Sequence, residues 1–389
     1  VLSPSDRKSL LRAQFGAHFG GAPAVWGRAP GRVDLMGSHT DYNLGHVMTM
    51  TLDRDTWMAA RPRADRQVVV HSLNTGTGST FSLNDIRHDH AATWSNYVRG
   101  VAKVWQDAGH ELTGFDAVVH STLPLGSGLS SSAALELATG VVVQQLGGVA
   151  LDPLRLALLA QQAENTFVGV GCGILDQYSS AMGREGCALL LDCRDLTSRP
   201  VPIHPDVRVV ICDTRVPRSL MGSEYDERRR QCDEGAARLK TFFPASETLR
   251  DISPAAFAAH SGALPAVVAR RCRFIIEENA RVLDLADALP QGRAAALHEL
   301  FQASYLGARD LYEIAVPAME TMMQAMLTSP GLVAARQAGA GFGGCMVALV
   351  QAACLDVFVE HATRSYAHNA GIAPSIFSVS AAPGAGVLA

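Results

Sequence analysis

Residues 115–147 constrain this chain more than any other stretch. "FDAVVHSTLP" is a run of β-formers stopped by Pro124, and "LGSGLSSSAALELATGVVVQQL" is a glycine–serine turn feeding an alanine- and leucine-rich helix. Gly126 and Gly128 let the backbone turn where a Cβ would clash. The helix behind them aims unpaired N–H groups and the positive end of its dipole back at the turn. Ser130, Ser131 and Ser132 add hydroxyls, one of which suits a hard cation such as Mg²⁺. The combination describes a cradle for phosphate. It is not a Walker A loop, because no Gly-Lys-Ser/Thr follows. A capped helix after a turn is the other reading of these residues taken alone.

Two further glycine-bearing regions frame it. "GAGFGGCMVAL" satisfies G-x-G-x-x-G through Gly339, Gly341 and Gly344, yet a strand-like run follows where a dinucleotide fold needs a helix. The position where that fold carries an acid holds Arg364. A dinucleotide site is therefore excluded, leaving a backbone loop that another element can approach closely. The third region pairs "GRVDLMGSHTDYN" (31–43), read as charged residues around a tight turn, with "AENTFVGVGCGILDQYSS" (163–180). In the latter, Gly169, Gly171 and Gly173 deform the chain just before Asp176. No G-x-S-x-G elbow occurs, which argues against a serine hydrolase.

The texture around these loops is α+β rather than regular βαβ alternation. "MTMTLDRDTWMAARPR", "RQVVVHSL", "CALLLDC", "VRVVICDT" and "SIFSVSAA" read as strands, and "PLRLALLAQQAENTFVG" as a helix opened by proline. In "AVVARRCRFIIEENARVLDLADAL", Val268, Cys272, Ile275, Val282 and Leu285 form one apolar stripe. The 389 residues suffice for two domains, and a division at Pro200 and Pro202 gives 1–200 and 201–389.

A net charge of −4 gives no electrostatic reason to expect nucleic acid or an anionic membrane as partner. Apolar runs stay strand-sized, and "VLSPSDRKSL" lacks the charged-then-apolar pattern of a leader. Eight scattered cysteines without C-x-x-C spacing read as reduced thiols, hence a cytoplasmic protein without structural zinc. Trp26, Trp57, Trp94 and Trp105 read as core or hydrophobic rim rather than a stacking platform, with Trp94 or Trp105 the alternatives for bordering an adenine. Oligomeric state is open, a monomer being plausible.

Taken in order and spacing, "GRVDLMGSHTDYN", "PLGSGLSSSA" and "GAGFGGC" resemble the three motifs of the galactokinase, homoserine kinase, mevalonate kinase and phosphomevalonate kinase superfamily. Within it the resemblance points to galactokinase, since "AENTFVGVGCGILDQ" and "MGSEYDERRRQC" look like that family's internal segments. The resemblance implies a two-domain fold with the active site in the cleft. It implies an ATP-dependent sugar 1-kinase that uses Mg²⁺ and makes galactose 1-phosphate and ADP.

Carried over residue by residue, Arg32 and Asp176 flank the anomeric hydroxyl, and His39, Asp41, Gly173 and Tyr225 contact the sugar. Gly126, Ser127, Gly128, Leu129, Ser130, Ser131 and Ser132 hold the nucleotide phosphates. Ser132 and Glu164 match the Mg²⁺ positions. Gly341, Phe342 and Gly343 match the third motif, which closes against the site. Arg32 is permanently cationic and counters phosphoryl charge. Asp176 takes the hydroxyl proton or only orients that hydroxyl, and the sequence leaves both open.

One position departs. Galactokinases carry glutamate where this chain has Ser38, at the contact with the sugar's C6 end. The shorter neutral side chain leaves a gap there. Galactose is the first expectation, D-galacturonate or L-arabinose the alternatives, and a non-catalytic sugar sensor a further one. The intact serine loop and Asp176 favour an enzyme over a sensor.

Overall fold

The computed structural model describes residues 2–124, 126–217 and 221–388, the side chains of 221–223 excepted. Leu125 of the serine loop and the first three residues of "MGSEYDERRRQC" thus fall outside the side-chain description.

Two sheets organise the chain. The larger contains β1 (Val25–Met36), β2 (His46–Pro62), β3 (Gln67–Ser72), β4 (Thr77–Ser82), β5 (Phe115–Ser121), β6 (Cys187–Asp192) and β7 (Thr197–Pro202). The smaller contains β8 (Val207–Asp213), β9 (Leu332–Gln337), β10 (Cys345–Gln351) and β11 (Ser375–Val379), in the order β11-β8-β10-β9, all antiparallel. A last short strand, β12 (Gly386–Val387), returns to pair with β1. Every strand up to Pro202 therefore lies in the first sheet, but the C-terminus crosses back to it. Division into domains 1–200 and 201–389 remains a proposal.

Helices cover both sheets. The first half contributes α1 (Pro4–Phe19), α2 (Ser95–Asp107), α3 (Ser131–Gly147), α4 (Pro153–Ala163) and α5 (Leu175–Met182). The second half contributes α6 (Met221–Leu239), α7 (Pro254–His260), α8 (Ala266–Ala288), α9 (Ala294–Leu306), α10 (Pro317–Leu327) and α11 (Leu355–Ala370). Their boundaries follow local chemistry. Asp152 accepts a hydrogen bond from the Arg155 N–H, with Pro153 opening α4, and Ser253 caps α7 in the same way. On α8 the stripe Val268, Cys272, Ile275, Val282 and Leu285 is buried, as its spacing predicts.

One feature departs from the sequence reading. The segment 31–36 is not turn but the end of the long strand β1, and the turn begins only at Gly37. Its charged residues hid a strand that is buried along most of its length. Trp105 is core, as its first reading has it, packed inward from α2 at 1% exposure, which leaves Trp94 as the alternative for a base.

Candidate active site

β1 pairs with β2 along its length, with register shifts between Pro30 and Arg32 and between Asp34 and Met36. Between these bulges, Arg32 and Asp34 stand two residues apart on one strand face, and their side chains approach to 3.3 Å. The strand ends at Gly37, whose φ of 102° and nearness to β2 admit no side chain: a Cβ would lie 2.8 Å from the His46 carbonyl. Ser38, His39 and Asp41 follow in the turn and line the same cavity, about 450 Å³ in volume.

Asp176 enters from the second residue of α5, 144 positions along the chain. Its Oδ1 accepts from Arg32 Nε (3.0 Å) and Nη2 (2.6 Å), and its Oδ2 accepts from Ser130 Oγ (2.5 Å). Arg32 Nη1 donates to the Gly128 carbonyl at 2.7 Å, so one guanidinium touches both the carboxylate and the serine loop. Burial works against the Arg32 charge, but Asp176 and then Asp34 outweigh it and raise its pKa.

The serine loop turns through positive φ at Gly126 (73°), Gly128 (83°) and Ser130 (59°) before α3 begins at Ser131. Ser130 occupies the capping position of α3 without capping it, because its hydroxyl serves Asp176 instead. The first N–H groups of α3 are thereby left for another acceptor. Beside Ser131 and Ser132 a second cavity of about 160 Å³ is walled by Trp94, Tyr97, Val119 and Leu135.

Asp41, Gly173 and Tyr225 all line the larger cavity. A Cβ on Gly173 would meet Asp41 Oδ2 at 2.3 Å, which explains glycine there. Burial raises the Asp41 carboxyl to about 6. Tyr225 lies with its ring centroid 5.2 Å from that of His39.

Ser38 and His39 line the cavity too, but with their polar atoms engaged. Ser38 Oγ donates to the Gly339 carbonyl and accepts from Arg336 Nη2, both at 2.8 Å. His39 Nε2 donates to the Ala340 carbonyl at 2.9 Å, and Nδ1 pairs with the Tyr42 hydroxyl. The polar atoms of both residues are thus already bonded to protein. The third motif accordingly meets the cavity through Gly339 and Ala340, not through Gly341, Phe342 and Gly343. Phe342 turns into the core, its N–H bonded to the Ile314 carbonyl at 2.8 Å.

Glu164 opens a π-helical turn (164–168) and is buried. Gln177 Nε2 donates to Glu164 (2.6 Å) and to Glu136 (3.0 Å), Cys172 Sγ donates to Glu164, and the Ser132 hydroxyl bonds it as well. Burial and then the Asp176 charge raise the Glu164 carboxyl, and burial and then Glu164 raise that of Glu136. Among the described residues no three-ligand protein cage for a metal occurs. A hydroxyl and a carboxylate side by side, amid surplus negative charge, nonetheless fit Mg²⁺, which takes few protein oxygens and completes its shell with phosphate and water. Sequence reasoning missed Asp34, Glu136, Cys172 and Gln177. Of these only Asp34 left a signal, two residues from Arg32 on a strand.

Comparison with known proteins is decisive at this point. A family model described as Galactokinase galactose-binding signature matches residues 13–62, and GHMP kinases N terminal domain matches 96–184. The chain is 42% identical over 376 residues to a galactokinase of Roseiflexus sp. (strain RS-1), covering 97% of this chain and 96% of that one. The chain belongs to the galactokinase family. Another member, the galactokinase of Chloroflexus aurantiacus, is 44% identical over 363 residues, 93% of each chain. Galactokinase of Lactococcus lactis, solved in complex with galactose, superposes with a TM-score of 0.92 at 33% identity, covering 98% of this chain and 99% of that one. Mevalonate kinase of Methanococcus jannaschii shares the fold, with a TM-score of 0.65 at 16% identity over 93% of this chain and 99% of that one. In this chain the 31–43 segment and the third motif line one cavity, and the serine loop joins it through the Arg32–Gly128 and Ser130–Asp176 hydrogen bonds.

Proposed function

We infer that this protein transfers the γ-phosphoryl group of ATP to the anomeric hydroxyl of D-galactose, giving galactose 1-phosphate and ADP. The observation that carries the reading is the bridge Arg32–Asp176–Ser130, in which one carboxylate joins a sugar-side arginine to the phosphate-side loop. Arg32 holds the acceptor oxygen and counters charge on the moving phosphoryl group. Asp176 orients the hydroxyl and receives its proton, during or after transfer. Asp41 accepts ring hydroxyls, and the Tyr225 ring offers an apolar face. The serine-loop N–H groups take the nucleotide phosphates, with the base against Trp94 and Tyr97. Ser132 and Glu164 would hold Mg²⁺, which supplies neutralisation of the phosphate charge when bound.

Galactose is favoured over a uronate because Asp34, Asp41, Asp176 and Asp226 all line the cavity and repel a further carboxylate. Ser38 and His39, spent on Gly339 and Ala340, offer such a carboxylate little. The cysteines are thiols rather than disulfides, which supports a reducing, cytoplasmic setting. Among the described residues no helix is long and apolar enough to cross a membrane.

An ADP-release assay with ATP·Mg²⁺ against D-galactose, D-galacturonate, L-arabinose, N-acetylgalactosamine and D-glucose tests the assignment. D-Galactose is expected to give the highest kcat/KM. Turnover with none of the five would instead mark a sugar-binding sensor.

A further inference from the structure

Two neighbouring residues of α5 hold two different sets of side chains. Asp176 bonds Arg32 and Ser130, while the next residue, Gln177, is fully buried. Gln177 Nε2 spends both of its hydrogens on carboxylates, one on Glu164 Oε2 (2.6 Å) and one on Glu136 Oε2 (3.0 Å). Among the described residues, the side chains that hydrogen-bond these two carboxylates are an amide, a thiol and a hydroxyl, none of them a cation. Glu136 Oε1 has no hydrogen-bond partner there at all.

The bridge fixes where Glu164 sits. Glu136 lies four residues beyond Ser132 on α3, so the two share one face of that helix, a turn apart. Glu164 comes from a different element, the π-helical turn after α4. The amide of Gln177 therefore draws the π-turn carboxylate against the face of α3 that carries Ser132. Gln177 and Cys172 both donate to Glu164 Oε2, which commits that oxygen to protein and leaves Oε1 to other partners.

We propose that Gln177 is a positioning residue for the Mg²⁺ site, holding Glu164 beside Ser132 while leaving its charge intact. An amide suits this place because it donates to both carboxylates without neutralising either. A lysine or arginine there would reach them too, but would cancel the charge that a divalent cation needs.

The inference rests on the kinase reading with Mg²⁺ at Ser132 and Glu164, and its test reads metal-dependent binding rather than turnover. Calorimetry on the full chain gives the dissociation constant of a non-hydrolysable ATP analogue with and without Mn²⁺. Gln177→Met keeps the length of the side chain and removes both donors. The metal-loaded analogue should bind this variant at least about tenfold more weakly than wild type, the usual cost of losing a partner that orients a metal ligand, with metal-free affinity unchanged. A merely structural role would weaken the analogue with and without metal alike. Glu136→Gln, which keeps an acceptor for the amide, should hold metal-loaded affinity to within about twofold, whereas Glu136→Leu, which frees the amide from α3, should lose at least about threefold.

A Gln177→Met protein that binds the metal-loaded analogue like wild type overturns the proposal, and so does an equal loss with and without metal. Should that variant fail to fold, Glu136→Leu decides: a loss confined to the metal-loaded analogue supports the proposal, and wild-type affinity refutes it. A wild type that phosphorylates galactose but binds the analogue no better with metal overturns it too, and leaves the kinase reading standing. A wild type that turns over no sugar, yet shows the metal-specific loss in Gln177→Met, upholds the positioning role and removes the substrate assignment alone.

Discussion

Asp41 carries the clearest signature of a group built for a ligand. Its carboxyl sits in a desolvated pocket with Asp34 and Asp176 nearby, and burial lifts its pKa to about 6. Ionised, it can accept hydroxyl protons from a sugar; protonated, it loses half that capacity. Between the ordinary carboxyl value and 6 the folded protein therefore holds a proton that the unfolded chain does not. For this group, stability is greatest in acid and is lost as pH rises through 6. Galactose binding follows the opposite course. Its dissociation constant is expected to rise as pH falls through 6 and to flatten above 7. Titration calorimetry between pH 5 and 8 checks this, and a flat profile would remove Asp41 from sugar recognition. Residues of this kind were legible in sequence because the motif spells them out. Gln177 and Glu136 were not, because an amide between two buried carboxylates is a relation in space and leaves no periodic trace.

Elements decide which of those residues meet. β1 ends in bulges that aim Arg32 and Asp34 into the cavity, and α8 answers with Glu278, which ties Gly37, Ser304, Arg281 and Arg336 together. This carboxylate is fully buried, and its charged form is held by Arg336 and Arg281 against the cost of burial. Glu278→Ala would leave Arg336 without its nearest carboxylate, at a cost of about 3–5 kcal/mol in unfolding free energy. Denaturant unfolding measures the loss, and a change below about 1 kcal/mol would contradict a structural role for this ion pair. The helices were read well from apolar spacing, as the α8 stripe shows. β1 was not: a strand buried on both faces with charges at its functional end has no alternation to read, so its last residues passed for turn.

At the scale of the molecule, the two sheets bring together parts of the chain more than a hundred residues apart. The third glycine motif meets the 31–43 turn through the Gly339 and Ala340 carbonyls, which bind Ser38 and His39, while Phe342 anchors the loop in the core. Motif order predicted that these loops would meet; which atoms touch depended on the paths of β9 and β10, to which sequence spacing is blind. The account stands on Arg32 and Asp176 acting at a sugar's anomeric oxygen, opposite phosphates held at the serine loop. The most direct measurement is turnover of D-galactose by Asp176→Asn, with ATP binding followed in parallel and the product of the wild type identified by phosphorus NMR. The account predicts galactose 1-phosphate from the wild type and a fall in kcat of at least about 10²-fold in the variant with ATP affinity unchanged. Near-normal turnover by the variant, or phosphate on another hydroxyl, would contradict it.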